Sequence, residues 1–80
     1  MNSRVFIIVE RIRNFTGYIS DYVKHVCASE ELALKRVKNY ITPYPDMEET
    51  EPGEGYERTF KDHTGNFVSL YILQREVEEE

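Results

Sequence analysis

The pattern of hydrophobic and polar positions predicts four strands. Residues 4–12 hold a run of five consecutive apolar residues, which is typical of a strand covered on both faces. Residues 18–28 alternate imperfectly, and this indicates a half-exposed strand with a bulge or bend near its middle. Residues 56–62 and 67–77 alternate again, and the second of these segments carries apolar side chains on both faces.

One helix is predicted at residues 29–41, because apolar residues recur there with helical spacing. Ser29 is a good N-cap, and Glu30 and Glu31 follow it at the positive end of the helix dipole. The prolines that come next are expected to end the helix. The apolar stripe spans about one third of the circumference, which is typical of a helix packed on a sheet. It consists of Ala33, Leu34, Val37, Tyr40 and Ile41.

Short turns join the predicted strands in pairs. Residues 13–17 contain Asn14 and Gly17, and residues 63–66 contain a Gly-Asn pair, which are residue types that tolerate the backbone of tight hairpins. We therefore expect one α+β domain over residues 1–80. Its order is ββαββ, with one helix packed on a four-stranded, mainly antiparallel sheet.

Residues 42–55 are predicted to form a long acidic loop. They contain all three prolines, two of the four glycines and five acids, a composition that cannot bury a core. A loop of this length in a small domain often carries function. Residues 78–80 are predicted to form a solvated acidic tail.

Composition and charge narrow the possible partners and locations. The formal net charge is −5, and nucleic-acid binding draws most of its affinity from Lys and Arg, so we expect no direct nucleic-acid partner. The longest apolar run is far below the ~20 residues that a membrane span needs, so no membrane association is expected. The single cysteine, Cys27, fits a reducing compartment, and we expect a cytoplasmic location.

The sequence contains no motif to which a reaction mechanism is attached. It has no glycine-rich phosphate loop, nucleophile elbow, paired-cysteine spacing or HExxH helix. His25, Cys27 and His63 are at most a weak zinc signal, because a zinc site wants three or four well-spaced ligands. We therefore expect no enzymatic activity, no cofactor and no metal site.

The acidic loop and its neighbouring tyrosines form the leading candidate for a protein-binding surface. Six Tyr and four Phe are dense for 80 residues, and tyrosine is favoured at interfaces. Negative charge would complement a basic partner, although it would equally serve solubility. The candidate residues are Tyr44, Asp46, Glu48, Glu49, Glu51, Glu54 and Tyr56.

Basic residues on the helix and the second hairpin form an alternative candidate site. They could hold the phosphates of a nucleotide, on whose bases tyrosines could stack. A solvated helix face would show the same three basic residues. The candidate ligand-binding residues are Lys35, Arg36, Lys38, Arg58, Lys61 and Arg75.

The layout resembles small acidic proteins encoded by bacteriophages and mobile elements. The shared features are an N-terminal VFIIVE strand, a hairpin with NFTG, the helix start SEELA and a final YILQREV. The resemblance implies a non-catalytic counter-defence protein in the host cytoplasm that binds and inhibits a bacterial immune component, as anti-CRISPR proteins do. An oligomeric sponge for a cyclic nucleotide or a related signal is the alternative. A structural or adaptor protein without a role in defence is the third possibility.

The predicted sheet has two apolar faces and only one helix to cover them. In the first strand, Val5, Ile7 and Val9 alternate with Phe6 and Ile8. The face that the helix leaves open is expected to pack on a second copy of the chain, giving a homodimer or a higher homo-oligomer. The acidic loop could fold over that face instead.

Overall fold

The computed structural model describes residues 2–78, which form one helix and five strands. The elements are β1 (Asn2–Arg13), β2 (Ile19–Cys27), α1 (Glu30–Lys38), β3 (Glu48–Thr50), β4 (Arg58–Lys61) and β5 (Phe67–Glu78). The strand order in the sheet is β2-β1-β5-β4-β3, and every pairing is antiparallel. The predicted α+β class, with one helix on an antiparallel sheet, is confirmed. The predicted four strands and ββαββ order are wrong, because β3 makes the order ββαβββ.

β3 lies inside residues 42–55, which the sequence predicted to be a loop. It pairs with residues 59–61 of β4, and its two glutamates and one threonine show no apolar alternation that would predict a strand. The unpaired edge of β4 supplies the hydrogen-bonding groups for this pairing. The predicted tail also begins inside a strand, since β5 extends to Glu78, and residues 79–80 lie outside the described residues.

The two predicted hairpins are confirmed. The Asn14 side chain accepts hydrogen bonds from the backbone N–H groups of Thr16 and Tyr18, and Gly17 has a φ of +90°. Such a positive φ suits glycine, which has no Cβ to clash with the backbone. β1 then lies between β2 and β5, so it is an interior strand of the sheet.

β2 contains the irregularity that its alternation predicted. Ile8 pairs with His25 and Val9 pairs with Val23, so Lys24 is an extra residue in β2. This bulge shifts the alternation by one position. As a result, Val23 lies on the same face of the sheet as Val9, although a regular strand would place it with His25.

The helix packs on one face of the sheet, which we call the helix face. Ala33 and Val37 of α1 form the core with Ile8, Cys27 and Leu70, and all five are at most 4% exposed. The residues of β1 and β5 with the opposite parity lie on the other face, which we call the far face. Those on the far face include Val5, Ile7, Val9, Arg11, Ser69, Tyr71 and Leu73.

The helix begins at the predicted cap and ends earlier than predicted. Ser29 Oγ accepts a hydrogen bond from the Leu32 N–H group at 3.2 Å. The last helical residue is Lys38, so the prolines do not end the helix. Ile41 consequently leaves the predicted apolar stripe and is 86% exposed.

Within residues 2–78, no helix has the length and hydropathy needed to cross a membrane.

An arginine from β4 explains the early end of the helix. Arg58 Nη1 donates to the carbonyl oxygens of Val37, Lys38 and Tyr40 at 2.9, 3.2 and 2.9 Å. These carbonyls lie at the helix end and lack the donor that a continued helix would supply, and the Val37 oxygen also accepts from the Tyr40 N–H group at 3.2 Å. The guanidinium therefore takes the place that another helical turn would occupy.

Candidate ligand-binding groove

A groove lies on the helix face between α1 and the edge strand β2. Its volume is about 500 Å³. Core side chains of Ile8, Val37 and Leu70 form an apolar floor, and Leu32 and Ile41 contribute apolar walls. The floor is buried, and the accessible apolar surface on which an apolar or aromatic group can pack comes from Leu32 and Ile41, which are 40% and 86% exposed.

Four basic side chains line the same groove, which we call the basic groove. Lys24 and His25 come from the bulge of β2, and Lys35 and Arg36 come from the last turns of α1. All four are exposed. Within residues 2–78, neither Lys35 nor Arg36 forms a salt bridge, so both are available to an anionic ligand.

A buried acid lies beside the basic groove. Glu10 is 1% exposed and accepts a hydrogen bond from Tyr40 Oη at 2.6 Å, while Lys24 Nζ lies 3.9 Å from its Oε2. Burial raises the pKa of Tyr40, and the Glu10 carboxylate raises it further. Burial also raises the pKa of Tyr44, with a smaller effect from the charge of Glu10. Both phenols therefore keep their protons at neutral pH.

The structure brings together only two of the six residues predicted to bind a phosphorylated ligand. Lys35 and Arg36 line the basic groove. Lys61 lies in a pocket on the far face, and Arg75 lies opposite Val5 toward the end of β5. The predicted set is therefore spread over both faces of the sheet.

Lys38 and Arg58, the other two predicted residues, lie in a shallow depression on the opposite side of α1. Arg58 Nε and Nη2 donate to the two carboxylate oxygens of Glu49 at 2.8 and 2.9 Å. This hydrogen bonding raises the pKa of Arg58 and lowers the pKa of Glu49. Because its remaining donor group binds the helix end, Arg58 is occupied by contacts within the protein.

The predicted protein-binding residues do not form one continuous surface. Tyr44 lies beside Glu10 on the helix face. Tyr56 lies on the far face, where its hydroxyl accepts from Arg11 Nη1 at 3.0 Å and its ring packs edge-on against Tyr71. Glu49 is paired with an arginine. The other four predicted acids are exposed at the β3 end of the sheet; they are Asp46, Glu48, Glu51 and Glu54.

The histidines and the cysteine are separated in the structure. Cys27 is buried in the core, His25 lines the basic groove, and His63 lies in the turn between β4 and β5. Among residues 2–78, no group of three or more His, Cys, Asp or Glu side chains is placed to hold a metal ion.

Comparison with known proteins gives no match: no protein-family model, curated protein or solved structure resembles the chain closely enough to be matched.

Sequence reasoning missed Lys24, His25 and Glu10 as members of the site. Lys24 and His25 line the groove because the β2 bulge places them next to α1. This proximity depends on the packing of β2 against α1, which the sequence pattern does not show. Glu10 carried a usable signal, since it is an acid directly after five apolar residues in a strand predicted to be covered on both faces. A charge at such a position is rarely buried without a partner.

Proposed function

We propose that the protein is a non-catalytic binding protein that holds a small phosphorylated ligand of the nucleotide class in the basic groove. The observation that carries this proposal is the combination, in one cavity, of exposed apolar side chains and two cations, Lys35 and Arg36, that form no salt bridge within residues 2–78, on a chain with a net charge of −5. A ligand with an apolar ring system and a phosphate group matches both parts of the groove.

The groove suggests how such a ligand is held. Arg36 can bind a phosphate through two parallel N–H donors, and Lys35 adds positive charge. The base then packs against the exposed apolar side chains of Leu32 and Ile41. Asn39, which also lines the groove, carries an amide that can donate to or accept from the edge of a base.

The resemblance to small phage proteins supports a biological role for this binding, which is the capture of a nucleotide signal of the host immune system. A protein that captures a cyclic nucleotide lowers its free concentration and silences an immune pathway that depends on it. Capture requires no reaction, and the sequence contains no motif with a mechanism attached.

Isothermal titration against a panel of mononucleotides and cyclic di- and trinucleotides tests the proposal. The informative variant is Lys35→Gln with Arg36→Gln, and the matched control is Lys38→Gln with Arg75→Gln, which removes the same charge outside the groove. We expect the wild type and the control to bind a member of the panel. The groove variant should bind it at least about tenfold more weakly, because charge-assisted hydrogen bonds are lost.

Two results would overturn the proposal. One is the absence of binding across the whole panel. The other is an equal loss of affinity in the control variant, which would show that net charge rather than the groove determines binding.

A second candidate function is inhibition of a basic host protein through the acidic edge of the sheet, in the manner of an anti-CRISPR protein. The supporting observation is that β3 forms this edge and that Glu48, Glu51 and Glu54 are exposed on or after it. Negative charge there would steer a basic partner toward the edge.

Pull-down from a bacterial lysate tests this second function. A partner recovered by the wild type should be lost with the Glu48→Gln, Glu51→Gln, Glu54→Gln variant and retained with the Lys35→Gln, Arg36→Gln variant. Failure to recover any partner, or recovery of the same partner by the triple variant, would count against it.

A further inference from the structure

A second pocket lies on the far face, beneath residues 50–56. Its volume is about 390 Å³. Tyr56 holds the covering segment in place, because its hydroxyl accepts from Arg11 Nη1 at 3.0 Å and its ring centroid lies 6.0 Å from that of Tyr71. We call this cavity the hydroxyl pocket, after the residues of its floor.

The floor of the hydroxyl pocket is a pair of buried hydroxyl groups. Thr59 and Ser69 lie opposite each other in β4 and β5, are 7% and 8% exposed, and have their Oγ atoms 3.2 Å apart. On the helix face, the same two strands bury Phe60 and Val68. These two strands therefore bury polar residues under the covering segment and apolar residues on the helix face.

The hydroxyl pair leaves a donor available. Two hydroxyl groups carry two hydrogens, and the bond between Thr59 and Ser69 uses one of them. Within residues 2–78, neither hydroxyl has another hydrogen-bond partner. Tyr56 is in a similar position, because its oxygen accepts from Arg11 while its own hydrogen remains free to donate.

Two cations lie at the same pocket. The Arg13 guanidinium is 4.5 Å from the centre of the Phe67 ring, and Lys61 lines the pocket beside it. Within the part of the chain that the structure describes, neither forms a salt bridge. Glu51 adds one carboxylate to the lining. The third cation, Arg11, is held by Asp21 through two hydrogen bonds of 2.8 and 2.9 Å.

We infer that the hydroxyl pocket is a binding site for the phosphate group of a small polar phosphate monoester. Hydroxyl and phenol donors on the floor and roof match the acceptor oxygens of such a group, and Arg13 and Lys61, which form no salt bridge within residues 2–78, match its charge. The site is separate from the basic groove, which lies on the opposite face of the sheet and has an aliphatic floor. The inference therefore does not depend on the proposed function.

Thr59→Val with Ser69→Ala is the decisive variant. Removing both members of a hydrogen-bonded pair with apolar side chains of similar shape is close to neutral for stability, so the unfolding midpoint should stay at the wild-type value. A second variant, Arg13→Gln with Lys61→Gln, removes the cations and leaves the hydroxyl groups in place.

The probes are inorganic phosphate, ribose 5-phosphate, ribose and gluconate, titrated into labelled protein and followed by amide chemical shifts. We expect both phosphate probes to shift the amides of Thr59, Ser69 and Tyr56, and ribose to leave them unchanged. Gluconate carries a carboxylate instead of a phosphate group, so it tests whether the pocket accepts any anion. We expect it to bind more weakly than the two phosphate probes. Both variants should weaken phosphate binding at least about tenfold.

Three outcomes would overturn the inference. The first is the absence of shifts with either phosphate probe. The second is equal binding by the Thr59→Val, Ser69→Ala variant. The third is a loss of phosphate binding in the Lys35→Gln, Arg36→Gln variant, which would move the phosphate to the basic groove and support the proposed function instead.

Discussion

Arg58 connects three parts of the molecule through one guanidinium group. It binds Glu49 of β3 through two N–H groups, donates to the carbonyl groups at the end of α1, and lies 4.8 Å from the centre of the Phe60 ring. A planar group with five N–H donors can make these contacts together, whereas a lysine ammonium cannot.

Replacing Arg58 by alanine should lower the free energy of unfolding by about 2 to 3 kcal/mol, because helix-end carbonyls lose a charged donor. Glu49→Ala should lower it by much less, since exposed ion pairs contribute little and the Glu49 side chain is 49% exposed. Urea denaturation followed by circular dichroism measures both changes. Equal losses would show that the ion pair, rather than the helix-end contacts, is what Arg58 contributes.

Asp62 links stability to pH in the turn between β4 and β5. Its carboxylate accepts four hydrogen bonds from Thr64 and Asn66, and these bonds, the Asn66 side chain first, hold its pKa well below the usual value. The unfolded-state pKa is about 3.9. A depressed folded-state pKa stabilises the protein above that pH, and the contribution is lost as the pH falls below it.

The Asp62→Asn variant should therefore show a shallower loss of stability than the wild type when the pH is lowered from about 6 to about 3. Asp46→Asn, which removes the same charge from an exposed loop position, serves as the control. Urea midpoints measured across this range provide the comparison. Parallel profiles for the wild type and Asp62→Asn would contradict the assignment.

At the scale of secondary-structure elements, the β2 bulge has three effects. It places Lys24 and His25 at the basic groove, and it aligns Val23 with Val26 on the far face. It also protects an exposed edge, because a bulge and a lysine both hinder pairing with another strand.

Deletion of Lys24 should be tolerated. The shortened strand is regular, still pairs Val23 with Val9, and loses only the extra residue. Deletion of Val23 also gives a regular strand, but it places the charged Lys24 opposite Val9, so this variant should be less stable. Thermal unfolding compares the two deletions, and a more stable Val23 deletion would contradict the register.

The sequence predicted the elements that local signals specify and missed those that depend on distant residues. The hairpins, the Ser29 cap and the bulge follow from short-range patterns, and all three are confirmed. β3 depends on the free edge of β4, and the end of α1 depends on Arg58, which is twenty residues beyond Lys38. Lys24 and His25 of the basic groove were not predicted for the same reason, since they lie near Lys35 only in the folded chain.

At the scale of the whole molecule, the protein is elongated. Its radius of gyration is 14.0 Å, compared with about 12 Å expected for a compact domain of 80 residues. Its accessible surface is 5928 Å², compared with about 5,000 Å² expected for a monomer of this mass. The excess of accessible surface over this expected value is close to the ~800 Å² that each partner buries in a standard interface.

The far face supplies an apolar patch for such an interface. Residues 50–56, which include the end of the acidic loop, cover the part of the far face that β4 forms. The acidic loop therefore covers only part of the far face, and the part formed by β1 and β2 stays open. On the uncovered half, Val23 and Val26 are 65% and 63% exposed. The remaining members of this apolar strip are Val5, Ile7 and Leu73, which are partly exposed.

We expect two copies of the chain to pack these strips face to face. Sedimentation equilibrium at micromolar concentration should give twice the monomer mass of 9.5 kDa. Val26→Lys should give the monomer mass, because it places a charge in the strip. Ile41→Lys, which is 86% exposed and lies off the strip, should leave the dimer intact. A monomeric wild type would rule out this association.

The pairing of β1 with β5 also determines when the protein can fold during synthesis. Asn2 lies opposite Glu78 and Arg13 lies opposite Phe67, so the first strand has no partner on one side until the last one emerges from the ribosome. Up to that point, the nascent chain exposes an apolar strand edge and lacks Leu70 from its core. We expect the nascent chain to be a substrate for ribosome-associated chaperones, and to reach the native state only after translation has supplied β5.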